Sequence, residues 1–349
     1  MRQKILAALL GLTAALVVGE LVVRIVGAPE VAVVQRGRFR LSENPRLLFE
    51  PVPGLAVEGD TRDFYEYRGT SNSLGYRDRE HPVAKPAGVF RIAVLGDSIA
   101  AGYRVARTED TFPALLEAAL RRDGLNAEVL NFGVTGYNTS QEVETLRTRA
   151  LRFDPDLVIL AYCHNDRRPP DVRILQALRE SQGGRPVVAV GEVQRALVWS
   201  ALYRFVRYGL LDARPGEDDP GPEPPAAPGD PHGVKAGDTV EPALRELAGL
   251  SRQHGFEVLL AVFPYLPKPF EEKHAREHAW LAERAGDLGF HHLDLRPAFR
   301  VCREGTRERL GFDRYHPTPA GHRCAARALE EAVRGIARAA RRDRPAPSF

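Results

Sequence analysis

The chain of 349 residues is long enough for one large α/β domain with extensions, or for two small domains. Its 44% hydrophobic and 27% charged content is that of a folded globular protein, which excludes a disordered or fibrous chain. A net charge of +3 is too small to imply a nucleic-acid partner, and three cysteines (Cys163, Cys302 and Cys324) exclude a disulfide-rich scaffold and show no metal spacing.

Arg2 and Lys4 precede an uncharged apolar run from Ile5 to Gly19, followed by Glu20, Leu21 to Val23, Arg24, Ile25 and Val26. That run alone has signal-peptide length. The whole stretch from Ile5 to Gly27 spans a bilayer if Glu20 and Arg24, one helical turn apart, pair or snorkel near the far interface. Pro29 directly after Val26-Gly27-Ala28 makes a poor cleavage site, so residues 1–29 read as an uncleaved membrane anchor ahead of a cleaved signal segment or a cytosolic amphipathic helix. Basic residues at the start favour an N-terminus inside and the body on the outer side of a bacterial membrane, with a secreted or periplasmic protein as the alternative.

Residues 30–88 are rich in Pro, Gly, Tyr and Arg without helical periodicity and read as an irregular extension of short strands and loops laid against the main domain. From 89 to 340 the pattern becomes regular. It predicts a strand at Arg91 to Leu95, a helix at Thr111 to Arg122 with Asp110 or Thr111 as cap, and a strand at Glu128 to Asn131. A helix from Ser140 to Leu151, capped by Thr139 or Ser140, and a strand from Leu157 to Tyr162 follow. Leu175 to Leu211 looks mainly helical, whereas Arg214 to Asp238 is a Pro, Gly and Asp-rich insertion that cannot bury a core. Regular structure resumes with a helix at Glu241 to Gln253, a strand at Glu257 to Phe263, a helix at Glu271 to Ala285, a strand at His291 to Leu295 and a last helix from Thr318-Pro319 to about Ala340. About five strands separated by helices predict a parallel sheet covered on both faces. Residues 341–349 form a basic, Pro-containing tail. With Arg334 and Arg338 upstream, it suits a helix C-terminus, contact with anionic lipid being the sharper alternative.

Ser98 follows a buried-strand pattern in Arg91-Ile92-Ala93-Val94-Leu95-Gly96-Asp97-Ser98, at a glycine-flanked turn where open α/β folds bind ligands. A serine there is a candidate nucleophile, and it needs a base, an orienting group and an oxyanion site. His316, three residues after Asp313, is the candidate base, because Asp313 can bond its Nδ1 and leave Nε2 free for the serine proton. Gly133, whose backbone N–H can approach a substrate closely, and Asn165, whose amide can donate, join the Ser98 N–H as oxyanion candidates. Asp97 and Asp166 read as structural, bonding loop backbone. Tyr103, Tyr137 and Asn138 read as lining the mouth. His274 and His278, at i and i+4 without a third ligand, read as a solvated helix face, and no metal is expected. An α/β-hydrolase elbow is disfavoured, since Ala100 stands where it needs glycine.

Gly96-Asp97-Ser98, a glycine in the block Asn131 to Glu142, Asn165-Asp166 and Asp313-x-x-His316, in that order, resemble the SGNH (GDSL-type) hydrolases. These are serine esterases, lipases and carbohydrate deacetylases. The resemblance spans about Phe90 to Ala340, and Asn72 to Arg77 with Asn131 to Glu142 is similar to the bacterial membrane-anchored branch. Ile99 stands where the family name has leucine, and Cys163 where glycine is usual, beside Asn165. The resemblance implies a three-layer α/β/α, flavodoxin-like fold and a serine esterase with no cofactor, acting on a small-molecule, lipid or glycan ester through an acyl-enzyme. An O-acyltransferase using the same residues and an inactive envelope-binding module remain alternatives. The ester and the oligomeric state stay open, as does a Cys302 to Cys324 bridge, which suits an oxidising compartment but is not demanded by spacing.

Overall fold

The protein is seen in a computed structural model that describes residues 2–27, 38–57, 69–167, 197, 200–206, 239–266 and 274–342. The insertion 214–238, most of the helical stretch expected at 175–211 and the end of the tail lie outside the described residues. The chain divides into two compact units, residues 1–35 with 177–224, and residues 36–176 with 225–349.

The first unit holds helix α1, Arg2–Val26, whose segment Leu6–Val26 has a mean hydropathy of 2.3 and is long and apolar enough to cross a membrane. Glu20 and Arg24 pair as the spacing predicts, at 2.7 Å. The Glu20 carboxylate has further partners within this unit. It accepts from Ser200 Oγ at 2.7 Å and from the N–H groups of Ala201 and Leu202 at 2.9 Å each, and so satisfies the open start of the one-turn helix Ala201–Arg204.

The second unit is built on five parallel strands: β1 Phe90–Gly96, β2 Ala127–Asn131, β3 Leu157–Tyr162, β4 Glu257–Val262 and β5 His291–Asp294. Their order in the sheet, β2-β1-β3-β4-β5, is the flavodoxin-like one expected. Every residue of β1, β2 and β3 is buried, as a sheet covered on both faces requires, and this is why these strands read as near-continuous apolar runs. Between β1 and β2 lie α2 Ser98–Ala101 and α3 Phe112–Arg122, and between β2 and β3 lies α4 Thr139–Thr145. Helices α5 Val240–His254, α6 Ala275–Leu288, α7 Arg296–Gly305 and α8 Pro319–Arg342 complete the unit. Helix α3 packs on α8 and α8 on α7, while α4 packs on α5 and α5 on α6, giving the two helical layers.

Several elements differ from expectation. The cap of α4 is Asn138, not Thr139 or Ser140. Its side chain accepts from Gln141 N while the Gln141 side chain accepts from Asn138 N, a capping box, and α4 then loosens into a π-turn and a 3-10 turn over Leu146–Phe153. Helix α7 was not foreseen, and Cys302 within it is bridged to Cys324 of α8, with Cα atoms 6.2 Å apart. In the basic C-terminal region, Arg334 pairs with Asp123, so that side chain is committed within the fold.

The extension contributes two short antiparallel pairs, Phe39–Leu41 with Phe49–Pro51 and Ala56–Val57 with Gly69–Thr70. Its buried Arg77 reaches the loop after α2 and donates to Gly102 O at 2.6 Å and Val105 O at 2.7 Å. Gly102 ends α2 at φ 70°, and a Cβ there would lie 2.4 Å from Thr111 Cγ2, so the turn accepts only glycine.

Candidate active site

Ser98 opens α2 at the C-terminal end of β1, and Asn165 lies in a 3-10 turn, His164–Arg167, at the C-terminal end of the adjacent β3. The sheet order reverses beside β1, so this is the crevice in which open α/β sheets bind ligands. The loop Thr306 to Thr318, between α7 and α8, brings Asp313 and His316 to the same place.

Ser98 Oγ lies 2.9 Å from His316 Nε2. On the other side of the ring, His316 Nδ1 lies 2.9 and 2.8 Å from the two oxygens of Asp313. The ionised carboxylate can only accept, so Nδ1 carries a proton and Nε2 is the ring atom facing the Ser98 hydroxyl. Partial burial opposes ionisation of Asp313, but the His316 ring and the N–H groups of His316 and Tyr315 outweigh it and hold the carboxyl down to about 2. The Tyr103 ring is 4.3 Å from the His316 ring, tilted by 42°, which places Tyr103 beside His316.

Asp97 links the serine to Asn165. Its Oδ1 accepts from Ile99 N at 2.8 Å and caps α2, while Oδ2 accepts from Asn165 Nδ2 at 2.8 Å and lies 3.2 Å from Ser98 Oγ. One N–H of the Asn165 amide is thereby used, and the other meets no acceptor among the described residues. Asp166 Oδ2 accepts from Cys163 N at 3.0 Å, in line with its structural reading. Cys163 packs into the hydrophobic core at 1% exposure, so it does not narrow the mouth.

Three of the expected residues are differently employed. Tyr137 is 3% exposed, its hydroxyl donates to Phe49 O at 2.6 Å and its ring packs on Phe49; Asn138 is equally buried as the α4 cap. Neither lines the mouth, because a polar group in a dry loop is held by the backbone it satisfies. Gly133 lies against α2, where a Cβ would be 2.5 Å from Ala101 N, and its N–H already donates to Asn131 Oδ1 at 3.0 Å. Farther along, Tyr137 N bonds Val134 O at 3.1 Å and closes a turn whose third residue, Gly136, has φ 85°. The Gly136 N–H meets no acceptor among the described residues.

His274 and His278 are buried, not solvated, and meet His164 and Glu277. Donor atoms of His164, His274 and Glu277 lie within 4.8 Å of one another. The His164 and His274 rings are stacked, however, with centroids 4.0 Å apart and 14° between planes, so their in-plane lone pairs run side by side and do not converge on one ion. Glu277 is bound instead by Arg167. A sequence signal for this cluster exists: 274, 277, 278, 281 and 285 share the helical stripe that faces the core. His322, fully buried, was also missed; its Nδ1 accepts from Phe112 N at 3.0 Å at the start of α3.

Over 76 residues the chain is 34% identical to an arylesterase of Vibrio mimicus, a match covering 22% of this chain and 38% of the relative's length. Solved structures with similar folds include the acetyl xylan esterase AlAXEase, at 17% identity and a TM-score of 0.43 over 70% of this chain and 99% of that one. A catalytic mutant of an acetylxylan esterase from Geobacillus stearothermophilus has 17% identity and a TM-score of 0.43 over 70% and 93%. The family model for GDSL-like lipases and acylhydrolases matches residues 94–324, about two thirds of the chain, and the chain belongs to that family.

Proposed function

We propose that this protein is a serine esterase that cleaves a carboxylic ester through an acyl-enzyme. The observation that carries this reading is the unbroken line from Asp313 through His316 to Ser98 Oγ, with both hydrogen bonds under 3 Å. Ser98 Oγ attacks the ester carbonyl carbon while its proton passes to His316 Nε2. The tetrahedral oxygen is held by the second Nδ2–H of Asn165, by the Ser98 N–H and by a loop glycine. Because the Gly133 N–H is bound to Asn131, Gly136 is the glycine suited to that task. Collapse breaks the bond to the alcohol oxygen, which leaves with the proton from His316. Water then attacks the acyl-enzyme and gives a proton to His316; collapse breaks the acyl–Oγ bond, His316 returns the proton to Ser98 Oγ, and the acid leaves.

The substrate class is a small-molecule, lipid or envelope-glycan ester, O-acetyl groups included, and transfer of the acyl group to a glycan hydroxyl would use the same atoms. Helix α1 anchors the protein, and the Cys302–Cys324 bridge suits an oxidising, extracytoplasmic compartment. The test is labelling with a fluorophosphonate alongside turnover of p-nitrophenyl esters and acetylated glycans. Wild type is expected to label and turn over, and Ser98→Ala to do neither while keeping its circular dichroism spectrum. Labelling that persists in Ser98→Ala refutes the assignment. Product analysis with and without a glycan acceptor separates hydrolysis from transfer.

A further inference from the structure

Among the described residues, the Asn165 side chain has one hydrogen bond, to Asp97, and its buried Oδ1 has no partner. Its aim therefore depends on the 3-10 turn that carries it. Three side chains of that segment converge on one carboxylate of α6. Tyr162 OH donates to Glu277 Oε1 at 2.5 Å, Arg167 Nε donates to the same oxygen at 2.5 Å, and His164 Nδ1 donates to Oε2 at 2.8 Å. These residues flank Asn165 on both sides, and Arg167 further stacks over Trp280 of α6 at 4.4 Å.

The chemistry of the clamp is that of an ion, not of a spacer. Burial opposes ionisation of Glu277, but His164, His274 and Arg167 outweigh it and keep the carboxyl well below its usual range. An ion pair buried this deeply is a poor way to add stability, since an apolar pair of similar volume does as well or better. What the charge supplies is direction: Oε1 ties Tyr162 and Arg167 on either side of Asn165 together, and Oε2 holds His164 next to it. An oxyanion donor needs such fixing, because an error of 1 Å in its placement costs on the order of a hundredfold in rate.

We propose that Glu277 is a positioning residue that holds the Tyr162–Arg167 segment and thereby aims the Asn165 amide at the developing oxyanion; this rests on the oxyanion role of Asn165 proposed above. The test is a double-mutant cycle on the full chain, read as kcat and KM with a p-nitrophenyl ester. Asn165→Ala is expected to lower kcat by about 10² to 10³. Glu277→Gln, which keeps the shape and removes the charge, is expected to lower kcat by about ten- to a hundredfold with KM within about twofold. In the Asn165→Ala background the same change should cost less than about twofold, because the group it aims is gone. Losses that multiply in the double variant, or a folded Glu277→Gln with wild-type kcat, overturn the proposal while leaving the Asn165 role intact. A folded Asn165→Ala with full kcat removes the oxyanion reading and the proposal with it. Should Glu277→Gln fail to fold, Tyr162→Phe removes one bond of the clamp, and its kcat loss must likewise vanish in the Asn165→Ala background.

Discussion

Glu142 sits at 1% exposure in α4, and neither of its carboxyl oxygens meets a donor among the described residues. Burial, reinforced by the charge of Asp97, pushes this carboxyl well above its usual range; burial and the charges of Glu142 and Asp97 do the same to Asp166, whose Oδ1 is also unmatched. Carboxyls coupled in a dry interior hold a proton that the unfolded chain would release. The folded state thus binds more protons than the unfolded one above the ordinary carboxylate range of about 4, and Glu142 withdraws stability as pH rises. Glu142→Gln cannot titrate, so its Tm relative to wild type is expected to climb from pH 4 to pH 8 whatever the constant offset of the substitution. A relative Tm that stays flat, or falls, in differential scanning over that range contradicts a protonated Glu142. None of this was visible in the sequence, where Glu142 is one acidic residue in a helix start. Ser98, Asp313 and His316, which the structure brings into one hydrogen-bonded line, could be singled out because a strand-to-helix serine turn and an Asp-x-x-His loop are local patterns, whereas the burial of Tyr137 and Asn138 could not be, because a polar residue in such a block looks the same whether it faces solvent or backbone.

At the scale of elements, the histidine loop illustrates what local patterns omit. Residues 306–318 contain no long helix or strand, and the loop is tied by Phe312 N to His316 O at 2.8 Å, Leu266 N to Arg314 O at 2.9 Å and Thr318 N to Leu310 O at 2.9 Å. Around these bonds the Cys302–Cys324 bridge, 22 residues apart in sequence, joins the helices on either side. Closing a ring of that size removes unfolded-state freedom equivalent to about 3 kcal/mol. Cys302→Ser with Cys324→Ser is therefore expected to lower the unfolding free energy by about that amount in urea, and to lower kcat because Asp313 and His316 ride on the released loop. An unchanged midpoint in both protein forms would mean that the hydrogen bonds alone hold the loop. The strands were legible to within one or two residues because both faces of the sheet are buried, which leaves short apolar runs rich in branched residues between turn signals. The bridge was not, since two cysteines in sequence carry no distance, and α7 was not, since its mixed Arg and apolar pattern has a single fully buried side chain, Phe299.

For the whole molecule, all the site residues belong to the unit 36–176 with 225–349, while α1 belongs to the other unit. The sequence leaves α1 between anchor and removable signal, and composition alone cannot decide, because both are apolar and follow basic residues. The proposal that α1 stays as an anchor draws on the contacts of Glu20. A signal peptide leaves the mature protein, yet Glu20 satisfies Ser200 and two N–H groups at the start of the Ala201–Arg204 helix, and Leu202 lies 3.1 Å from where a Cβ on Gly19 would be. A carboxylate in an apolar span is costly unless it is paired, and both the pairing with Arg24 and the capping of that helix supply partners. Removal of α1 would leave those N–H groups open; its retention keeps them bonded. Full-length protein made in a bacterial host is accordingly expected in the membrane pellet after a carbonate wash, with an N-terminal sequence beginning at or next to Met1. Deletion of residues 1–27 should release soluble enzyme with kcat within about twofold of wild type, since no site residue is touched. A mature N-terminus near Glu30 in that host would show a cleaved signal instead, and would require the Ala201–Arg204 helix to find another acceptor.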